Sequence, residues 1–339
     1  MARLRCSKFF LELLRDVAYL TQYNLHEAEF VKDVISQEAA RASKCPDAVV
    51  CGALHKTAFR AGLGNSLYTQ PVRVTPDDVA AFAARTKGEV AVAAAGVGSA
   101  EVQQSVQDAF GAGFAELRER LREKAGSRLA NRLEPPSAPA KLQASKYFGG
   151  EDRIDASVDD GHLAVAYPTG AFIGSQTEAV AQILKAHLDN GAPVSYAPSV
   201  SALAKVAAKT GADIKAFNFA YSDSGILGVR VRCPEDRAGD AVKGAVAEIK
   251  RAAESFSDEE LKIAATRAKV VALQAFQSKV SLVEYMGLRT LAGSQGTGVA
   301  GLIANLDSVK SADVSKVRQI MIPCAVVRFP SAPVSALPY

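Results

Sequence analysis

Metal-assisted hydrolysis needs imidazoles and carboxylates at helical spacing, and the four histidines of this chain do not supply that pattern. His26, His55, His162 and His187 lie far apart. None stands in H-x-x-E-H or H-E-x-x-H, where two imidazoles one turn apart hold zinc and a carboxylate activates water. His26 has Glu27 and Glu29 beside it but no second histidine, so it reads as a solvated helix start. His55, inside a helix next to Leu54, reads as a structural or helix-end residue. Gly96-x-Gly98 looks like the opening of a dinucleotide fingerprint, yet the third position is Glu101, whose charge repels phosphate. A turn leading into a Ser99 helix cap accounts for those residues. There is no G-x-S-x-G elbow and no phosphate loop. Asp223 between Ser222 and Ser224 belongs to an ordinary turn. The expectation is therefore no catalytic residue, no metal ligand and no cofactor-binding residue.

Composition narrows the classes further. The chain has 339 residues, 48% hydrophobic and 22% charged, which fits packed cores and excludes a disordered or collagen-like polymer. A net charge of +4 is too small to indicate a nucleic-acid partner. Five cysteines at 6, 45, 51, 233 and 324, with no C-x-x-C, fit a reducing compartment or buried free thiols better than a disulfide frame. No apolar run approaches the ~20 residues of a membrane-spanning helix. Met1–Arg15 is basic and amphipathic, as a mitochondrial targeting peptide would be, although Glu12 and the lack of a break before Asp16 favour an ordinary helix.

Caps and periodicity place the elements. Thr75-Pro76-Asp77-Asp78 supplies a helix cap, a first-turn proline and two acids, and Ser257-Asp-Glu-Glu260 has capping-box spacing. The pattern predicts helices over 8–21, 25–43, 47–59, 76–86 and 100–124, then 176–189, 200–209, 235–254, 258–277, 280–292 and 312–319. It predicts strands over 88–96, 147–156, 161–168, 213–222, 225–232 and 321–328, with a hairpin across Tyr221–Gly225. Apolar faces at Phe9, Phe10, Leu13 and Leu14, and at Val270, Val271, Leu273 and Phe276, are expected to pack helices onto sheets. The proline-rich stretch Asn131–Lys141 is the clearest linker. The expected division is 1–124, a linker at 125–145, and 146–339.

The two parts share an order: three helices, a short helix and a strand. In the second part a sheet-rich block of about 147–233 precedes that series, whereas nothing precedes residue 8. The expectation is that a similar block is missing in front, or that another chain covers the helix faces left bare.

Two segments carry a resemblance to a known family. Leu54-His-Lys-Thr-Ala-Phe59, followed by Gly62-Leu-Gly-Asn-Ser-Leu-Tyr68, resembles the L-H-x-x-A-F/Y segment of the M16 metallopeptidase superfamily. That superfamily includes mitochondrial processing peptidase and the core proteins of the cytochrome bc1 complex. Ala216-Phe-Asn-Phe-Ala-Tyr-Ser-Asp-Ser-Gly225-Ile-Leu-Gly228 is similar to the A-F-N-x-x-Y-S-D-S-G-x-x-G hairpin of its core-protein-2 branch. Pro46 and Asn65-Ser-Leu-Tyr68 also look more like that branch than like the peptidase subunits.

The resemblance implies two homologous α/β (α+β) domains, each an antiparallel sheet packed with helices, with the first incomplete here. It implies a non-catalytic structural subunit on the matrix side of the mitochondrial inner membrane. The implied partners are core protein 1, cytochrome b, cytochrome c1 and the iron–sulfur protein, with no cofactor of its own and contact with the membrane only through those subunits. The family's distal zinc-ligand glutamate falls at Arg41 in an ungapped count, or at Glu38 after a one-turn slip. A guanidinium cannot ligate zinc, so Arg41 argues against a working peptidase. The other implied reading is a processing-peptidase subunit of the α type. The glycine-rich loop expected of it would fall near Leu188–Val194, where only Gly191 is present.

Overall fold

The structure, a computed structural model, describes residues 2–21, 23–69, 73–86, 90–96, 98–111, 144–155, 160–170, 173–189, 201–254, 256–293, 298–317 and 324–329. Contacts group these into two compact units. One comprises residues 1–39 and 69–143, the other 40–68 and 144–339. Residues 40–68, which the sequence places with the first part, thus sort with the second. The proline-rich linker and the later half of the helix expected over 100–124 lie outside the described residues.

The smaller unit is helical. It contains α1 (Ala2–Leu20), most of α2 (Leu25–Lys44), α4 (Pro76–Thr86) and α5 (Ser99–Phe110). Tyr19 of α1 meets Phe110 of α5 edge-on at 6.3 Å. Thr75 caps α4 as expected: its hydroxyl accepts from the Asp78 amide at 3.2 Å, and Asp78 returns the bond by accepting from the Thr75 amide. Ser99 does not cap α5. Gly98 occupies the cap position without a side-chain bond, and Ser99 is the first helical residue. The strand expected over 88–96 is also absent across 90–94. A strand needs a neighbour for its ladder bonds, and among the described residues no strand pairs with this segment.

The larger unit is built on β1 (Gly150–Asp155), β2 (Gly161–Pro168), β3 (Asp213–Ala220), β4 (Gly225–Cys233) and β5 (Cys324–Phe329). They form one sheet in the order β1-β5-β2-β4-β3. Every neighbouring pair is antiparallel except β1–β5, which is parallel. The predicted hairpin is present: β3 and β4 pair from Ala220↔Gly225 outward, and the Tyr221 amide donates to the Ser224 carbonyl at 2.8 Å.

One face of the sheet carries the main core. Leu163, Val165, Val229 and Val231 meet α6 (Gln176–Leu188), α7 (Ala202–Thr210) and α8 (Ala238–Glu254). Ala238, Ala241, Val242, Ala245, Ile249 and Ala252 form the buried stripe of α8, at the spacing of one helix face. The outer helices are α9 (Asp258–Ala275), α10 (Lys279–Leu291), α11 (Val299–Asp307) and α12 (Ser311–Val317). Ser257 begins α9 with the full reciprocal capping box. α11 was not expected; it starts at Gly298 with no side-chain cap, so its sequence carries no start signal. Arg289 of α10 is buried and donates to Glu178 of α6 at 2.8 Å, which ties the outer layer to the inner one.

The opposite sheet face is covered by α3 (Pro46–Phe59). Val50, Leu54, Ala58 and Phe59 pack there against Ala164, Ala166 and Ile226. Consequently all eight residues of β2 are buried, whichever face they point to. Gly228 lies between Ala166 and Phe217 in the ladder. A Cβ there would stand 2.3 Å from the Val165 carbonyl oxygen and 2.6 Å from the Phe217 ring. The backbone oxygen cannot retreat without breaking the β2–β4 pairing. Gly228→Ala is therefore expected to lower unfolding free energy by about 1–3 kcal/mol, the usual cost of overpacking. Chemical denaturation measures it, and an unchanged midpoint would contradict the packing described.

Candidate functional site

The two sequence segments that carry the family resemblance meet where α3 crosses the hairpin. Pro46 at the first position of α3 has a φ suited to helix and no amide to lose. The helix ends at Arg60, which takes φ 61°, and its guanidinium sits 4.7 Å from the centre of the Phe148 ring. That exit returns the chain to the sheet: the Phe148 amide donates to the Ala58 carbonyl at 2.7 Å. Asp223, at the hairpin turn, accepts from the Ser145 amide at 2.6 Å and anchors the same approach. The aspartate is thus a structural acceptor as well as a turn former.

His55 is the centre of the junction. Its Nδ1 lies 2.8 Å from the Cys51 carbonyl oxygen and its Nε2 lies 2.6 Å from the Tyr221 hydroxyl. A carbonyl only accepts, so Nδ1 carries the proton and the Tyr221 hydroxyl donates to Nε2. Phe219 and Phe59 flank the ring at 5.4 and 6.3 Å. Burial pushes the Tyr221 phenol above its ordinary range. Both ring nitrogens are engaged, which is the structural role expected for His55.

Cys51 comes within 3.8 Å of the same imidazole, through Sγ and Nδ1. That contact is not a nucleophile–base pair, because Nδ1 already holds its proton for the carbonyl. Burial also raises the Cys51 thiol, the opposite of what a thiolate nucleophile requires.

A second polar group stands at the start of α3. Asp47 pairs with Arg230 of β4 at 2.8 Å and lies 3.6 Å from His162 of β2. His162 is 7% exposed, and burial holds its pKa below the usual imidazole value against the opposing pull of Asp47. Nothing in the sequence marks His162 for this position, since Asp47 and His162 are brought together only by the packing of α3. His26, by contrast, is exposed on α2, and His187 packs its ring on Phe256 at 4.8 Å.

The residues relevant to zinc are on a different surface. Arg41 and Glu38 both lie exposed on α2. Among the described residues no three or more His, Cys, Asp or Glu side chains converge as a metal site. Gly96 and Gly98 flank a residue outside the described set, and Leu188–Val194 is described only through Asp189.

The apolar faces depart from the expectation of core. Phe9, Phe10, Leu13 and Leu14 are 47–60% exposed on α1, and Val270, Val271 and Leu273 are 45–48% exposed on α9. Only Phe276 packs inward, against Tyr285 at 4.7 Å. Phe30, Val31 and Val34 on α2 are exposed as well. Helical spacing correctly grouped these residues on faces, but within this chain nothing described covers them. Apolar faces of that extent are the signature of a surface made to be covered.

Comparison with known proteins agrees with the geometry. Residues 73–267 match the family described as "Peptidase M16 inactive domain". The chain is 32% identical over 293 residues to the mitochondrial cytochrome b-c1 complex subunit 2 of Cryptococcus neoformans, covering 84% of this chain and 62% of that protein. It is 31% identical over 315 residues to the subunit 2 of Neurospora crassa, covering 89% and 63%. The chain thus spans less than two thirds of the length of these relatives. The mitochondrial-processing peptidase subunit alpha-2 of Dictyostelium discoideum is a weaker match at 22% identity, over 92% of this chain and 68% of that one. Among solved structures, a chain of "Complex III2 from Candida albicans, Inz-5 bound" superposes with a TM-score of 0.67, covering 87% of this chain and 70% of that one at 14% identity, which shows the shared fold.

The His55–Tyr221 bond predicts a measurable coupling. In a double-mutant cycle with His55→Ala and Tyr221→Phe, the interaction energy is expected at about 0.5–1.5 kcal/mol, that of a net intramolecular hydrogen bond. Additive effects in denaturant unfolding would show that the two segments do not meet.

Proposed function

The chain belongs to the peptidase M16 family, and on that premise we propose that it is a non-catalytic structural subunit of the mitochondrial ubiquinol–cytochrome c reductase, complex III, in the place of core protein 2. The observation that carries this reading is the 32% identity to a cytochrome b-c1 subunit 2 over 84% of the chain. The family match to an inactive domain supports the absence of peptidase activity. Arg41 supports it as well where the ungapped count holds, because a guanidinium has no lone pair for a metal; the one-turn slip would put Glu38 there instead.

The physical properties fit a scaffold. A subunit whose task is assembly contributes surface, and this chain leaves large aliphatic and aromatic residues bare on α1, α2, α9 and α10. Interfaces that hold permanent complexes together are apolar in this way. The proposed partners are core protein 1, cytochrome b, cytochrome c1 and the iron–sulfur protein. No helix among the described residues is long and apolar enough to cross a membrane. The proposed place is the matrix side of the inner membrane, held there through those partners. Electron transfer belongs to cofactors on other subunits. The processing-peptidase reading is disfavoured by its weaker identity, 22%.

Complexome profiling tests the proposal. Tagged protein in mitochondria is expected to co-migrate with cytochrome b and cytochrome c1 at the mass of the assembled complex. Its deletion is expected to lower the amount of assembled complex. Migration as a small soluble heterodimer that cleaves presequences would overturn it.

A further inference from the structure

Between α3 and the sheet lies a cleft of about 230 Å³. Its depth is apolar: Val50 and Leu54 from α3, Ala164 from β2, and the rings of Phe217 and Phe219 from β3. Its mouth is charged, with Asp47, Lys215 and Arg230. The two ends therefore ask for different chemistry from one occupant.

The lining carries two cations, Lys215 and Arg230, and one carboxylate, Asp47. Asp47 stands 2.8 Å from Nη1 of Arg230, and the Arg230 side chain remains 34% exposed. A guanidinium has five N–H donors, so it can bond a second carboxylate beside Asp47. Lys215 is 3.4 Å from Asp213 and 59% exposed, a loose surface pair that is readily exchanged for another anion.

Size excludes large ligands. Drug-sized molecules occupy sites of roughly 300–1,000 Å³, and this cleft is smaller. An acyl chain of moderate length fits the apolar depth, where each buried methylene contributes about 0.8 kcal/mol. A strongly polar anion gains nothing from the aromatic wall.

We infer that this cleft binds a medium-chain carboxylate, with its hydrocarbon against Leu54, Phe217 and Phe219 and its head at Lys215 and Arg230. The site is separate from the bare helix faces proposed for assembly, so it stands or falls independently of them. Cys51 lies on the wall, whereas Cys45 is exposed outside the lining. Occupancy is therefore readable at one thiol and controlled at another.

The experiment uses the full 339-residue chain with octanoate as the probe. Site-resolved mass spectrometry follows alkylation of Cys51 and Cys45 by N-ethylmaleimide at constant pH. Octanoate is expected to slow Cys51 saturably and to leave Cys45 unchanged. Octanol at the same concentration is expected to protect at least about tenfold less effectively, the worth of one charge-assisted contact. Lys215→Gln, at an exposed position that keeps the fold, is expected to weaken octanoate by a similar factor. Cys51→Met, which fills the cleft, is expected to abolish the binding heat in calorimetry while circular dichroism stays native. An unaltered Cys51 rate, equal protection by octanol, or full octanoate binding to Lys215→Gln would each overturn the inference.

Discussion

The larger unit depends on burying both faces of its sheet at once. β2 is the strand where this shows, since all eight of its residues are buried. Helices α6 to α8 cover one face, as expected from helices that follow and flank the strands. The other face is closed by α3, a helix from far earlier in the chain. Val50, Leu54 and Phe59 are each about 1% exposed, and burying such a side chain is worth roughly 1.5–3 kcal/mol. Without them Ala164, Ala166 and Ile226 would face water. The small residues of β2 and β4 on this face, down to Gly228, are what let α3 approach so closely.

The polar contacts then set where α3 sits rather than whether it packs. His55 bonds Tyr221 in the middle of the helix, and Asp47 meets Arg230 and His162 at its start. These bonds lie at two different heights along the helix and fix both its rotation and its register. The same arrangement engages the groups that look reactive by residue type. His55 is held by a carbonyl, burial lowers the His162 pKa, and burial raises that of the Cys51 thiol. A constellation that looks reactive by residue type is here a set of positioning contacts.

Legibility in the sequence followed how local each signal was. Thr75, Ser257 and the turn at Tyr221–Gly225 were readable because a cap or turn is decided within four residues. Ser99 was misplaced by one position because Gly98 competes for the same cap. The strand expected over 88–96 is absent across 90–94 for a non-local reason: its alternation is real, but a strand exists only with a neighbour. The faces of α1 and α9 were recognised as apolar, yet periodicity cannot tell a core from a surface that another molecule covers. The His55–Tyr221 contact spans 166 residues. The two segments were each visible as family motifs, and only the fold shows that they touch.

The central claim is that α3 is an integral layer of the larger unit rather than a helix resting beside it. Native-state hydrogen exchange tests this most directly. The account predicts that amides in the middle of α3, around Leu54 and Ala58, exchange only with the global opening that also releases β2 and β4. Exchange of α3 at the rate of an isolated helix, while β2 and β4 stay protected, would contradict it.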